Sequence, residues 1–264
     1  MQDVKFNNIK SLGIQMKINK KLRHIATRVY FHFKESTYKG RLKYIYEKHS
    51  SDKLIVIFSS FADKPVYNYT RTLIDIRCNK LFILDDFGYR GSYYWYEHGK
   101  PYPLELVSSL IRETIRLGGV KSVITLGSSK GGTCAIYYGL LFRASHIYAG
   151  ANQYYVGKYL NKDKHNRIFK EMMGSDASKK EQELLDNMLP NMICQNKSSE
   201  SIIHLLYSKK EHTYIEHIKP LIKKLNINDI KHYDKVESFE NHSDVGKYFS
   251  PWIKSEISKL VNNV

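Results

Sequence analysis

The sequence predicts an α/β fold in which helices cover both faces of a mostly parallel β-sheet, with a helical insertion, or lid, between two strands. Three observations lead to this fold class. Strand-sized apolar runs alternate with helix-sized segments from about residue 29 onward. Several runs are continuously apolar, which is typical of strands buried on both faces. One long polar stretch, residues 160–195, lacks strand character and indicates the insertion.

The first half of the chain alternates strands with helices. Residues 29–33 and 42–46 alternate apolar with polar or aromatic side chains, as half-buried or edge strands do. Apolar runs predict buried strands at residues 54–58, 81–84 and 120–126, and the run at 54–58 is continuous and rich in β-branched residues. Helices are expected at residues 66–77 and 104–117, and Gly118-Gly119 provides a stop signal for the second helix.

The second half continues this alternation around the insertion. Helices are predicted at residues 130–142, 214–225 and 244–261. Strands are predicted at residues 146–149, 202–207 and 230–236. We expect a basic N-terminal segment, residues 1–40, and one α/β domain over residues 41–264 whose insertion occupies about residues 157–200. Sheets of this kind place their functional sites at the carboxyl ends of the strands.

Composition excludes several classes of protein. Of 264 residues, 42% are hydrophobic and 13% aromatic, which is enough for a core and excludes wholesale disorder. No apolar run approaches the ~18 residues of a transmembrane helix, and the N-terminus lacks the apolar core of a secretory signal. The three cysteines have neither CxxC nor Cys/His metal spacing. We therefore expect a cytoplasmic protein with free thiols and no metal site.

Positive charge is concentrated near the N-terminus. Residues 1–50 contain 12 Lys and Arg but 3 Asp and Glu, and so carry +9 of the formal net charge of +16. A basic face predicts an anionic partner, such as a membrane surface, a phosphorylated lipid carrier or an acidic glycan. Since no zinc-finger or RRM-type motif is present, we expect no nucleic-acid partner. The alternative is a basic surface that only contacts solvent.

Residues 127–131 read Gly-Ser-Ser-Lys-Gly, a G-x-S-x-G motif between a predicted buried strand and a predicted helix. This context is that of the nucleophile elbow of α/β-hydrolases, where the chain turns sharply and small residues let neighbouring backbone pass. Ser129 is the predicted nucleophile, at the positive end of the following helix. We expect an oxyanion hole from the backbone N–H of Lys130 and a second N–H after the strand at 54–58, where Ser60 and Phe61 are the candidates.

Two other motifs do not fit this segment. A phosphate-binding loop ends in Gly-Lys-Ser/Thr, whereas Lys130 precedes two glycines. A Ser-x-x-Lys acylation motif needs serine at position 127, which is glycine. A glycine-rich strand–helix loop with an inert Ser129 stays open as an alternative.

A serine nucleophile needs a base and an orienting acid, which follow it in this fold in the order acid, then histidine. His242 is the predicted base because it lies between the last strand and the last helix. Glu211 is the predicted acid because it follows the strand at 202–207. The rival bases are His204, His212, His217 and His232. The rival acids, which lie nearer His242 in the chain, are Asp234, Glu237 and Glu240.

An aromatic segment, residues 85–98, follows the strand at 81–84 and is expected on the same rim as Ser129. Aromatic faces beside carboxylate and guanidinium groups suit a sugar, which stacks its C–H faces and hydrogen-bonds its hydroxyls. The predicted substrate-binding residues are Asp86, Arg90, Tyr93, Tyr94, Trp95 and Gln153. Alternatively, the rings only cover the sheet edge and the insertion. Cys134, one turn after Ser129, is predicted as a core residue.

Four blocks of sequence resemble a group of bacterial α/β-hydrolase-type proteins. They are residues 58–61 (Phe-Ser-Ser-Phe), 84–88 (Leu-Asp-Asp-Phe-Gly) with 91–94 (Gly-Ser-Tyr-Tyr), 127–132 (Gly-Ser-Ser-Lys-Gly-Gly) and 150–157 (Gly-Ala-Asn-Gln-Tyr-Tyr-Val-Gly). The resemblance is to proteins of capsular polysaccharide biosynthesis and, more distantly, of the accessory secretion system, which are linked to glycan O-acetylation. It covers about residues 40–250 and omits the basic N-terminus.

The resemblance implies that Ser129 is the nucleophile, His242 the base and Glu211 the acid, where relatives often carry Asp. It implies serine-dependent acyl transfer to a capsular or surface glycan, a glycolipid or a precursor. An acyl-CoA is the expected donor, and no tightly bound cofactor is implied. Two alternatives stay open: a carboxylesterase or deacetylase with the same triad, and a catalytically silent protein that binds a glycan or a partner in a capsule or secretion assembly. Peripheral contact with an anionic membrane is expected through the basic N-terminal segment.

Overall fold

The computed structural model describes residues 33–262. Within this range, eight strands form one sheet in the order β1-β2-β4-β3-β5-β6-β7-β8. The strands are β1 (Glu35–Tyr38), β2 (Leu42–Glu47), β3 (Lys53–Phe58), β4 (Asn79–Ile83), β5 (Ser122–Ser128), β6 (His146–Gly150), β7 (Ile202–Ser208) and β8 (His232–Glu237). The β1–β2 and β2–β4 pairs are antiparallel, and all other neighbouring pairs in the sheet are parallel. The predicted mostly parallel sheet is therefore confirmed.

Helices occur before, within and after the predicted insertion. They are α1 (Tyr102–Gly118), α2 (Lys130–Leu141), α3 (Val156–Leu160), α4 (Asn166–Met173), α5 (Lys179–Gln195), α6 (Lys219–Ile227) and α7 (Val245–Asn262). Helix α1 ends as predicted, because Gly119 adopts a left-handed φ of 60° and its N–H bonds to the Ile115 carbonyl. The helix predicted at 214–225 is present as a π-helical segment, Tyr214–Ile218, that continues into α6. The strand predicted at 29–33 lies, apart from Phe33, outside the described residues.

The helix predicted at residues 66–77 is wrong, because this segment is a series of turns. Tyr69 has a φ of 61°, which is incompatible with a right-handed helix. The buried Lys80 ammonium donates to the carbonyl oxygens of Leu73 and Ile76, at 2.9 and 3.0 Å. Lys80 therefore stabilises the turns from a neighbouring strand, and the apolar spacing of Leu73 and Ile76 reflects burial without a helix.

The insertion between β6 and β7 consists of α3, α4 and α5. It packs into the same core as the sheet through buried apolar residues that include Leu160, Phe169, Leu189 and Ile193. Two backbone hydrogen bonds also join it to the end of the aromatic segment and the residue that follows, from the His98 and Gly99 N–H groups to the carbonyls of Glu171 and Met172. The predicted helical insertion is thus part of the main core.

The sheet and its helices belong to one compact unit that starts at Glu35. It starts before the predicted boundary at residue 41 because β1 pairs with β2 along its whole length. No helix among residues 33–262 is both long enough and apolar enough to cross a membrane.

Candidate active site

The tight turn between β5 and α2 carries Ser129 at the carboxyl end of the sheet. Ser129 has φ 53° and ψ −126°, a strained conformation for a residue with a side chain. A Cβ added to Gly131 would lie 2.6 Å from the Phe58 carbonyl oxygen, and one added to Gly127 would overlap the Gly131 carbonyl. The two glycines are therefore required because β3, β5 and α2 approach each other so closely.

Two further loops bring His242 and Glu211 to this turn. His242 Nε2 lies 2.7 Å from Ser129 Oγ, and His242 Nδ1 lies 3.2 Å from Glu211 Oε1. Glu211 follows β7, and His242 begins a short 3₁₀ turn, His242–Asp244, that leads into α7. The structure therefore brings the three predicted residues together with the geometry of a Ser-His-Glu triad.

The surroundings of Glu211 determine the tautomer of His242. The Glu211 side chain is fully buried and accepts a hydrogen bond from Thr213 Oγ1, while His212 Nδ1 lies 2.7 Å from Glu211 Oε1. Burial opposes ionisation, but the contacts with His242, Thr213 and His212 outweigh it and lower the pKa of the Glu211 carboxyl. A carboxylate here favours a proton on His242 Nδ1, which leaves the Nε2 lone pair facing Ser129.

The predicted oxyanion donors fare differently. The Lys130 N–H belongs to the first turn of α2, where N–H groups have no acceptor within the helix. The Ser60 N–H already donates to Asn68 Oδ1 at 2.8 Å, and Ser60 Oγ donates to the Ser128 carbonyl at 2.9 Å. Ser60 therefore ties its loop to the elbow and does not offer a free donor. Phe61, the next residue, stays the predicted second donor.

Comparison with known proteins identifies the fold. No protein-family model matches the sequence, and a comparison with curated proteins finds no match. A capsule O-acetyltransferase of Neisseria meningitidis serogroup A, in complex with CoA, matches with a TM-score of 0.71 and 24% identity, over 84% of this chain and 94% of its own. FphF, a fluorophosphonate-binding serine hydrolase of Staphylococcus aureus, matches with a TM-score of 0.61 and 13% identity, over 84% of this chain and 92% of its own. The chain has the α/β-hydrolase fold.

A third similar structure is larger than this chain. It is the Glycosylation Associate Protein (Gap123) complex from Streptococcus agalactiae, with a TM-score of 0.71 and 16% identity. The match covers 87% of this chain but 46% of the other one. All three similarities concern the α/β-hydrolase scaffold, and they confirm the predicted fold class.

In this α/β-hydrolase fold the side chain that follows Ser129 is buried. Lys130 Nζ lies 2.5 Å from Asp85 Oδ2, and both side chains are 0% exposed. Asp85 also accepts hydrogen bonds from the N–H groups of Ser92 and Tyr94, at 2.9 and 3.3 Å. This ion pair was not predicted from the sequence, although the sequence contains one signal for it. Asp85 directly follows a buried strand, so it lies at the same edge of the sheet as the elbow.

The aromatic rings predicted to contact a sugar are largely core residues. Tyr94 and Trp95 are 0% exposed. The Tyr94 hydroxyl donates to the Ile83 carbonyl at 2.8 Å and accepts the Ser59 N–H at 2.8 Å, and the Trp95 ring stacks on that of Tyr93. The prediction of substrate contact is therefore wrong for Tyr94 and Trp95, because both rings are fully buried and internal hydrogen bonds occupy the Tyr94 hydroxyl.

The charged residues of the aromatic segment are engaged in ion pairs. Asp86 lies 2.8 Å from Arg41 and 3.2 Å from Lys43, at the β2 side of the sheet. These partners occupy the carboxylate, so substrate contact by Asp86 is not supported. Arg90 pairs with the exposed Asp63 at 3.4 Å and is 30% exposed, so its substrate contact stays a prediction.

Gln153 contacts Ser129, the predicted nucleophile, and Tyr93 contacts Gln153. Gln153 Nε2 donates to Ser129 Oγ at 3.3 Å, and the Tyr93 hydroxyl donates to Gln153 Oε1 at 3.2 Å. Both residues are 0% exposed. Both were predicted at the substrate rim because they follow strands, but the backbone pattern does not reveal that Gln153 contacts Ser129 itself or that Tyr93 contacts Gln153.

Of the rival residues, His212 lies beside the triad, where it contacts Glu211, and the others lie elsewhere. His204 stacks on Tyr148, and Asp234 accepts a hydrogen bond from Tyr207. Glu237 pairs with Lys235 at 3.1 Å. Of the remaining rivals, His217 accepts the Tyr155 N–H, His232 lies beside the Ile230 carbonyl, and Glu240 is exposed. Cys134 is fully buried, as predicted.

Proposed function

We propose that this α/β-hydrolase is a serine acyltransferase that acts on a bacterial capsular or surface glycan, a glycolipid or a precursor. The observation that carries the proposal is the placement of Ser129 Oγ 2.7 Å from His242 Nε2, with the Glu211 carboxylate 3.2 Å from the other ring nitrogen of His242. A serine without a catalytic role would not require a histidine at this distance or a strained backbone conformation.

The reaction has two halves. In the first, His242 Nε2 takes the Ser129 proton while Oγ attacks the carbonyl carbon of the acyl donor. The backbone N–H groups of Lys130 and Phe61 bind the oxyanion, and the intermediate collapses as His242 returns its proton to the leaving thiol or alcohol. In the second, His242 takes the proton of a sugar hydroxyl as that oxygen attacks the acyl-serine, and His242 returns the proton to Ser129 Oγ as the acyl–Oγ bond breaks.

The choice of donor and acceptor rests on similarity and charge. The Neisseria meningitidis protein is a capsule O-acetyltransferase whose structure contains CoA, and the acyl-CoA donor is proposed here by analogy. The Gap123 complex supports a further proposal, that the chain works beside protein partners of glycan modification. The net charge of +16 favours anionic ligands.

An esterase with the same triad is the second candidate, and the fold of the serine hydrolase FphF favours it. Water would then replace the sugar hydroxyl in the second half of the reaction. Exclusion of water from the site decides between transfer and hydrolysis.

The basic N-terminal segment supports a further proposal, which concerns where in the cell the protein works. We propose that the protein works in the cytoplasm and contacts the anionic surface of the membrane through residues 1–40, which carry much of the positive charge. This would place the site close to lipid-linked glycan precursors.

Two measurements test the function. The first is labelling of folded protein with a fluorophosphonate, for which we expect Ser129→Ala and His242→Ala to abolish labelling, while Ser255→Ala, an exposed serine on α7, keeps it. The second is release of free thiol from acetyl-CoA with and without a capsular oligosaccharide. Release that depends on the oligosaccharide, with acetylated sugar as product, supports a transferase, and equal release in its absence supports an esterase. Folded wild-type protein that does not label would contradict both.

A further inference from the structure

The buried side of Ser129 carries a polar contact that a Ser-His-Glu triad does not require. Gln153 is 0% exposed, and its side-chain amide lies between two hydroxyl groups, 3.3 Å from Ser129 Oγ and 3.2 Å from the Tyr93 oxygen. Burying an amide is costly unless its polar atoms find partners. Both ends of the Gln153 amide have a hydrogen-bond partner here, and one of these partners is Ser129 Oγ, the oxygen that reacts.

The donors and acceptors of these hydrogen bonds can be assigned in only one way if Ser129 gives its proton to His242. Ser129 has one O–H, which must face His242 Nε2, 2.7 Å away, for the proton to be transferred. Ser129 Oγ then accepts from Gln153, so the amide NH₂ faces Ser129 and Oε1 faces Tyr93. The Tyr93 hydroxyl donates to that oxygen, and burial raises the pKa of Tyr93, which keeps the proton in place.

The backbone and the neighbouring rings hold this amide in position. Thr133 Oγ1 donates to the Gln153 carbonyl at 2.8 Å and accepts the Gln153 N–H at 3.0 Å. The Tyr93 ring stacks on Trp95, with centroids 5.4 Å apart, and meets the Phe61 ring edge-on at 5.4 Å. Thr133 therefore holds the Gln153 backbone, and Tyr93 holds the far end of the Gln153 side chain.

We propose that Gln153 is a further catalytic residue of this site and that Tyr93 is its positioning residue. The Gln153 N–H stabilises the negative charge that builds on Ser129 Oγ as its proton passes to His242. The same contact acts again when Oγ leaves the acyl-serine in the second half of the reaction. The inference rests on the proposed function, in which Ser129 is the nucleophile. A hydrogen bond to a charged oxygen is stronger than one to a neutral hydroxyl. The Gln153 contact therefore stabilises the transition state more than the ground state, which raises the reaction rate.

The test is the second-order rate of fluorophosphonate labelling of the full chain, measured across pH. This probe reports the reactivity of Ser129 and needs neither the donor nor the glycan. Gln153→Met keeps the side-chain length but removes the donor, and we expect a rate about tenfold lower at every pH. Tyr93→Phe should lower the rate by less, because the freed amide still faces Ser129 part of the time. In the Gln153→Met background, Tyr93→Phe should cause no further loss.

Tyr138→Phe is the matched control. It removes another fully buried hydroxyl, which donates to the Tyr94 carbonyl at 2.8 Å, without touching Gln153. We expect it to lower stability while the labelling rate is kept. If Gln153→Met does not fold, the comparison of Tyr93→Phe with Tyr138→Phe decides alone. Wild-type protein that labels while Gln153→Met labels equally fast overturns the inference, as do independent effects of the two substitutions. Folded wild-type protein that does not label overturns the proposed function as well.

Discussion

Lys130 shows how one side chain shapes the nucleophile elbow. Its ammonium group lies between the fully buried carboxylate of Asp85 and the ring of Tyr94, whose centroid is 4.9 Å away. Removing two charges from water is costly, and such a pair gains little net stability over an apolar one. Its effect is positional, because it joins the residue after Ser129 to the loop after β4.

Breaking this pair should cost far more than breaking an exposed one. Lys130→Met leaves Asp85 buried without its counter-ion, and we expect unfolding free energy to fall by about 3–5 kcal/mol. The control is Lys254→Met, which removes an ion pair to Asp75 at 3.0 Å whose side chains are 46% and 72% exposed. That change should cost at most about 1 kcal/mol. Equal losses in urea unfolding would show that the Lys130–Asp85 pair does not hold the elbow.

Glu211 predicts a pH dependence of stability. The native pKa of its carboxyl lies below the ordinary value of 4.5, so the ionised group stabilises the native state above that pH. The contribution is lost as pH falls through the lower, native pKa. Unfolding free energies of wild type and Glu211→Gln should therefore differ most above about pH 5 and converge under more acidic conditions.

The labelling rate of Glu211→Gln tests the role of Glu211 independently of its stability. Labelling of Ser129 should drop roughly 10³- to 10⁴-fold in Glu211→Gln, because His242 loses the group that holds its tautomer. Glu240→Gln, which removes an exposed carboxylate of the neighbouring loop, should leave both quantities nearly unchanged. A stability difference that is constant with pH would contradict the role assigned to Glu211.

At the scale of elements, β3 and α2 approach each other so closely at Gly131 that we expect no larger residue to fit there. A methyl group at Gly131 would meet the Phe58 and Ser59 carbonyl oxygens at 2.6 and 3.1 Å, and backbone atoms cannot rotate away as a side chain can. Gly131→Ala should therefore cost about 1–3 kcal/mol of stability and slow labelling of Ser129. Gly246→Ala in α7, where the added methyl group would meet no neighbouring element within 4 Å, should be neutral or stabilising by thermal unfolding. The idea fails if both variants behave alike.

Elements whose signals are local were predictable from the sequence. The apolar run of β3 and the glycine stop of α1 each depend on residues within the element. The turns at residues 66–77 were not predictable in this way. Their conformation depends on Lys80, a residue of β4 whose ammonium group bonds to the Leu73 and Ile76 carbonyls. A pattern of apolar spacing does not contain that interaction.

At the scale of the whole molecule, the triad was predictable because topology brings distant loops to one edge of the sheet. Ser129 and His242 are 113 positions apart, yet chain order and strand ends are enough to pair them. The contacts behind the nucleophile were not predictable, since Tyr93, Gln153 and Asp85 act through the direction of each side chain within a loop. The same limit explains why the rings of Tyr94 and Trp95 were placed at the substrate rim.

The charge distribution of the whole chain predicts how it meets a membrane. Vesicles that contain anionic lipid should bind the full chain, and vesicles of neutral lipid should not, when binding is measured by co-sedimentation. Raising the salt from 0.1 M to 1 M shortens the Debye length from about 10 Å to about 3 Å and should release the protein. Binding that survives high salt would point to an apolar contact instead.

Two variants with the same net charge locate this contact. One replaces Lys17, Lys20, Lys21 and Arg23 by Gln, and the other replaces the exposed Lys179, Lys180, Lys209 and Lys210. Both lower the formal net charge from +16 to +12. The first should lose most of the vesicle binding and the second should keep it, because each basic residue near an anionic surface contributes about 1 kcal/mol only when it lies within a Debye length. Equal losses would mean that overall charge, and not the N-terminal segment, attracts the protein to the lipid.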